Sequence, residues 1–376
     1  MVAIRKHNLP KRMYCFFHWN GKRQAMVFFL LHYLMMMGAV CEGKSPETGL
    51  PQKTTSGELS QENSGSLEVF RSKIEASAPS YGSSVSKLVS FYEARGGRKL
   101  HPKLLPKIGI KLETSCAPGI QVSPALVDAL LLFLEERGYL KEQVFIVGND
   151  RFELKVAGFS SGGGIPLFYK GYRLYTSEDE TYYNPNWFHE SPLPPTPNDR
   201  ARFFLRYPRN LKKRVEEERK SYLPARLFLG DVYWINLAVA MDSLHMGIDG
   251  AVANLSLGAV DNSRRFINKP TLAPAAAVEI LAIPELWQKR IFSIIDLSRF
   301  QFAGGGNFDA EFLGYEPSLL LGENPFCVDY LALQSLNVAR ANGGFSTRKF
   351  EDVLMFRYAE ELGLGKVRDC KLFDLP

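Results

Sequence analysis

Apolar and polar positions first alternate regularly at residues 107–112, KIGIKL, which predicts a β-strand. Ser123 then supplies an N-cap and Pro124 suits a first helical position. The apolar-rich run 125–136 that follows predicts a helix, closed by Gly138. VFIVG at 144–148 reads as the next strand. Strand, helix and strand within about forty residues make a βαβ unit, which implies parallel strands and a right-handed crossover. Two short helices are expected upstream, near 70–76 and 85–94. Downstream, 166–175 reads as a hairpin, 184–199 as a Pro-rich aromatic stretch, and 206–220 as a highly charged helix with a solvated face. A second half follows. It has strands at 231–239, 290–296 and 318–321, an alanine-rich helix at 275–282 opened by Pro274, a helix at 326–340, and a last helix from an N-cap at Ser346 to Gly363.

This pattern predicts an α/β fold with a mixed, largely parallel sheet flanked by helices, in one large domain or two intimate halves. It spans 70–345, with a loop-rich excursion at 159–225 and a C-terminal helix and tail at 346–376. Ligands of such sheets bind beyond the carboxyl ends of the strands. The loop 113–121, with Thr114, Ser115, Cys116 and Gly119, is therefore a candidate site wall.

The N-terminus follows a different pattern. Arg5, Lys6, Lys11, Arg12, Lys22 and Arg23 precede an apolar run at 25–40 that is too short for a comfortable membrane span. Residues 1–43 read as an export signal, with an uncleaved anchor as the alternative. Residues 44–69, rich in Ser, Gly, Glu and Thr, read as a disordered tether.

Charge changes meaning once the leader is set apart. The chain carries 46 basic and 40 acidic residues, net +6. Six of the basic groups and one acidic group lie in 1–43, so the body holds 40 against 39. A nearly neutral body lacks the clustered cations that nucleic acid requires, and membrane contact is expected only through the leader. After the leader, Cys116, Cys327 and Cys370 are widely spaced, without CxxC or metal-ligand spacing. No iron–sulfur cluster is expected. One disulfide in an oxidising compartment would leave one thiol over.

Several elements, in order, resemble one family, the domain of unknown function family number 362. They are the strand–loop–helix at 109–139, SPLPP at 191–195, the strand and glycine-containing helix start at 235–258, and DNSRRF at 261–266. The IxD strand at 294–296, the QxxGG turn at 301–305 and the DPxAxD-like element at 324–329 complete the series. The resemblance covers 105–345 and implies an α/β fold without assigning a reaction. The chain departs from it in three ways. Asp242 to His245 lacks the lysine of a Lys-x-His element, Asn324 replaces the first Asp, and ferredoxin-like cysteines are missing, so an electron-transfer role does not carry over.

Candidate chemistry concentrates in the second half. Asp242 and His245 follow the central strand, where a carboxylate could orient an imidazole as a general base; the alternative is an N-cap with a packed histidine. The helix start after Gly250 offers backbone N–H groups to an anion, with Asn254 to orient a ligand; close helix–sheet packing explains the glycine equally well. Asp261, Arg264 and Arg265 form a dense polar cluster, either an anion clamp or an internal ion pair. Asp296, Asp329 and Gln301 would share the crevice with Asp242, suiting acid–base work or a divalent cation, against a capping role for Asp329. There is no HExxH motif and no GxSxG elbow with credible partners. The reading is an exported, enzyme-like protein that binds a small anionic ligand, with catalytic Asp242, His245 and Asp296. Its rival is a non-catalytic envelope protein in which these residues are internal pairs and caps.

Overall fold

A computed structural model describes residues 3–6, 66–74, 81–160, 166–190, 201, 204–224, 231–267, 269 and 271–376. The apolar run of the expected leader and most of the expected tether lie outside them. Nine strands form the path of an eleven-stranded sheet. In chain order they are β1 (Glu68–Lys73), β2 (Ile108–Leu112), β3 (Val144–Val147), β4 (Leu167–Tyr169), β5 (Tyr172–Tyr175), β6 (Tyr233–Ser243), β7 (Arg290–Gln301), β8 (Ser318–Gly322) and β9 (Lys371–Asp374). Their order across the sheet is β9-β1-β8-β7-β6-β2-β3-β5-β4.

The five central strands, β7, β6, β2, β3 and β5, are mutually parallel, and β4, β8 and the β8–β1 pair add antiparallel edges. The α/β expectation, mixed and largely parallel, therefore holds. Both faces of the central strands are covered. Ile108, Ile110 and Leu112 of β2 pack with the layer of α1 (Tyr81–Ala94) and α2 (Pro124–Glu136). Trp234, Ala238 and Ala240 of β6 pack with the other layer, which contains α5 (Ala251–Leu255), α7 (Leu272–Leu281), α9 (Pro325–Asn342) and α10 (Leu354–Glu361). The remaining helices are α3 (Arg151–Val156), α4 (Leu211–Glu218), α6 (Arg264–Ile267) and α8 (Pro284–Trp287).

The predicted βαβ unit forms as expected. Ser123 caps α2, its side chain accepting from Ala125 N at 3.3 Å, with Pro124 at the first helical position. Gly109 has its own reason to be glycine: a Cβ there would collide with the Trp234 ring of the adjacent strand. From β2 the chain moves through α2 to β3 on one side, whereas β6 leads to β7 on the other. Adjacent β2 and β6 thus make a topological switch point, where a crevice opens at the strand carboxyl ends.

Several expectations are corrected. Residues 68–73 form strand β1, not a helix, because Val69 and Phe70 are needed in the two core layers. The charged helix is limited to Leu211–Glu218, after Pro208 and with Asn210 as cap. Ser346 caps nothing; a short turn at Phe350–Asp352 precedes α10, which ends before Gly363 in a left-handed conformation. The C-terminal tail is no tail. It contributes β9, parallel to β1, and Cys370 just before it is bonded to Cys327 of α9, leaving Cys116 as the free thiol among the described residues. In the excursion, Tyr183–Glu190 and Lys220–Pro224 pair in a separate small sheet, to which Ala3–Lys6 adds a strand.

Candidate functional site

The crevice has a volume of about 1540 Å³ and is lined by the 113–119 loop, the ends of β3 and β6, the excursion and the 306–310 loop. The wall expected at 113–121 therefore does line a cavity. Glu113 follows β2 directly, and its carboxylate accepts from Ser115 N at 2.8 Å. Glu153 lies in the first turn of α3, capped by Asp150, whose carboxylate accepts from Phe152 N at 2.6 Å. Asp249 ends a short strand, Gly247–Asp249, antiparallel to the end of β6.

Glu113 repels both Glu153 and Asp249 across a partly desolvated space. Burial, with Glu113 and Asp150 nearby, pushes Glu153 up to about 7 despite the opposing pull of Lys111. Burial and Glu113 raise Asp249, and no cation offsets them. Beside them lies Lys111, wholly buried on β2. Its ammonium donates to Asn149 Oδ1 at 2.6 Å, Asn254 Oδ1 at 2.9 Å and Leu112 O at 3.1 Å. Burial lowers its pKa to about 8, against the pull of Glu113 and Glu153. Asn254 in turn donates to Asn236 Oδ1 at 2.7 Å, and Asn236 donates to Ser293 Oγ at 3.1 Å. A satisfied polar chain thus runs from β7 through β6, α5 and β2 to Asn149 at the crevice. Such a chain fixes the lysine's position, because each member would be costly to leave unpaired in the core.

Cys116 also lines the crevice, beside a cis Ala117–Pro118 bond. Burial and Glu113 push its thiol up to about 11, so it is not poised as a thiolate. Gly119 lets the loop lie against Phe308, whose ring a Cβ would strike.

The nine residues expected to converge do not share this crevice. Asp261, half-buried, and Arg264, exposed, line it. Asn254 reaches it only through Lys111. Asp242 is closed off: Oδ1 accepts from Arg340 at 2.9 Å and from Arg348 at 2.7 and 3.0 Å, and Oδ2 accepts from Gly305 N at 3.1 Å. With both oxygens occupied it does not orient His245, which sits half-buried in the following turn and does not line the cavity. Asp296 lies on the opposite face of the sheet and accepts from Tyr81 Oη at 2.7 Å and Ser298 N at 2.9 Å. Arg265 is buried and donates to Ser221 Oγ at 2.7 Å and to the carbonyls of Glu218 and His189. It anchors the small sheet and forms no clamp with Arg264. Gln301 organises the glycine turn, its amide donating to Asn307 O at 2.9 Å and its carbonyl accepting from Asp309 N at 2.8 Å.

The helix start proposed for an anion does receive one, from the protein itself. Asp329 on α9 accepts from Ala251 N at 2.6 Å and Val252 N at 3.0 Å. Gly250 is glycine because a Cβ would strike that carboxylate. Asp329 therefore caps the neighbouring helix and not its own, where Asn324 is the cap. Among the described residues, no group of three His, Cys, Asp or Glu stands close enough to hold a metal ion.

Glu113 opens the wall expected at 113–121, whereas Lys111, Glu153 and Asp249 were not among the residues expected from sequence. One signal was present. A strand of a parallel sheet is buried on both faces, so the lysine in KIGIKL could not simply alternate into solvent. Comparisons with known proteins add little. No family model and no curated protein matches the chain. A crystal structure of a Thermotoga maritima protein, a structural-genomics target, is similar with a TM-score of 0.35 and 15% identity, covering 69% of this chain and 58% of that one.

Proposed function

We propose that the protein is enzyme-like and binds a small polar molecule in the crevice at the β2–β6 switch point. The ligand would turn a proton-bearing or amine group toward Glu113, Glu153 and Asp249, and an anionic group toward Arg264 and Arg299 at the rim. The observation carrying this reading is an open cavity lined by Glu113, Glu153 and Asp249, without arginine partners, with Glu113 acting on both of the others and a buried lysine close by. Two of them hold protons to near neutrality or are shifted that way, which suits proton transfer with the ligand. Catalysis thus moves from Asp242, His245 and Asp296 to Glu153 and Asp249. For Asp242, Asp296, Asp329 and Arg265 the structural reading fits better, since each is closed within internal hydrogen bonds.

We also propose that the chain is exported or anchored by its N-terminus, a reading supported by the basic residues and apolar run of 1–43 and by the Cys327–Cys370 bond. Kinship with the domain of unknown function family number 362 rests on the ordered motifs alone. The test is retention of small molecules from a metabolite mixture, identified by mass spectrometry, on wild type and on Glu153→Gln and Asp249→Asn. Retention by wild type that both variants lose supports the reading; equal retention by all three refutes it.

A further inference from the structure

We infer that residues 204–215, on the rim of the crevice, form a docking surface for an anionic lipid bilayer. Leu205 is 79% exposed, Leu211 63%, Phe204 56% and Val215 49%. Single exposed apolar side chains are ordinary, but four within twelve residues are a patch. Leu211 and Val215 stand four apart on α4 and so share a helical face. Interleaved with them are Arg206, Arg209, Lys212, Lys213 and Arg214, and the stretch contains no acidic residue. Among the described residues none of these five cations is in an ion pair.

The acids that follow are drawn away from the patch, because Glu216 and Glu217 pair with Lys220 at 3.3 and 2.9 Å. Three cations instead lie over aromatic rings of the segment: Arg214 over Phe204 at 5.1 Å, Lys213 over Tyr207 at 5.2 Å and Arg206 over Tyr207 at 5.5 Å. Apolar groups for the acyl boundary and cations without ion pairs for phosphate, on one short stretch of chain, match an interface-lying segment. The body after residue 43 holds 40 basic against 39 acidic residues with these five cations included, so this positive patch stands out. Arg206, Tyr207 and Lys213 also line the crevice, so docking would place the crevice mouth at the headgroup layer. The inference does not depend on the identity of the crevice ligand.

The leader would itself bind lipid, so the test must be local. Hydrogen exchange of the full chain is measured with vesicles of phosphatidylcholine alone and with roughly 30% phosphatidylglycerol added. The expected result is that amides in 204–218 exchange roughly tenfold more slowly on the anionic vesicles only. The protection should be lost in Leu211→Ser/Val215→Ser and in Lys212→Gln/Lys213→Gln/Arg214→Gln, and kept in the charge-preserving Lys212→Arg/Lys213→Arg. Because these side chains are exposed, with Arg214 half-buried, the variants should fold, as circular dichroism would check. Vesicle-bound protein showing no protection of 204–218, equal protection on both vesicle types, or protection that survives the charge-removing variant overturns the inference.

Discussion

At the residue scale, the crevice is defined by groups whose proton affinities the fold has moved in opposite directions. Glu153 is raised from 4.5 to about 7, so between those values the folded state binds more protons than the unfolded chain. Stability contributed by this group therefore falls as pH rises through that window and is level above it. Lys111 is lowered from 10.5 to about 8, so the folded state binds fewer protons there, and stability rises with pH between 8 and 10.5. Urea denaturation of wild type and Glu153→Gln at pH 5 and 7.5 checks the first sign: the loss of stability on going to pH 7.5 should shrink in the variant. Lys111→Met would leave the Asn149 and Asn254 carbonyls and Leu112 O without their donor. We expect it to cost about 1–3 kcal/mol in the same assay. Neither Lys111 nor Glu153 was singled out in the sequence, because their importance depends on which strand ends become neighbours. Lys111 and Asn254 are 143 residues apart, and no spacing rule links them.

At the element scale, two devices hold the second half together. Asp329 on α9 caps α5, and Gly250 lets the carboxylate approach. Asp329→Ala would leave two buried N–H groups unpaired, for an expected loss of about 1–3 kcal/mol measured by thermal unfolding. The second device is the Cys327–Cys370 bond, which ties α9 to β9 at the sheet edge across a sequence separation of 43. Its removal in Cys327→Ser/Cys370→Ser should cost about 2–5 kcal/mol, and adding reductant to wild type should lower the melting temperature to match. The local signals for elements were legible: the Ser123–Pro124 helix start, the hairpin within 166–175 and the apolar strands formed where the pattern placed them. What misled was residues whose polar partners come from elsewhere. Asp242 stands at the carboxyl end of the central strand, where a catalytic carboxylate would, yet Arg340 and Arg348 enclose it from about a hundred residues downstream. β9 was invisible for a related reason, since an edge strand of four residues shows no period long enough to read.

At the scale of the whole molecule, the order of strands decides where function can sit. Parallel β2 and β6 are neighbours that lead away to opposite sides of the sheet, so their carboxyl ends leave a gap that the excursion and the glycine turn wall in. The fold class and the 113–121 wall were readable because they follow from periodicity within one βαβ unit. Of the opposite wall only Asp261 and Arg264 were readable, because the rest depends on how the two halves meet. We propose this gap as a ligand site built on Glu113, Glu153 and Asp249. The most direct measurement is retention of a polar small molecule by full-length protein equilibrated with a metabolite mixture, compared between wild type and Asp249→Asn. A compound held by wild type should be lost by the variant, while Asp296→Asn, on the far face of the sheet, retains it. A compound held equally by wild type and Asp249→Asn but lost by Asp296→Asn would contradict it.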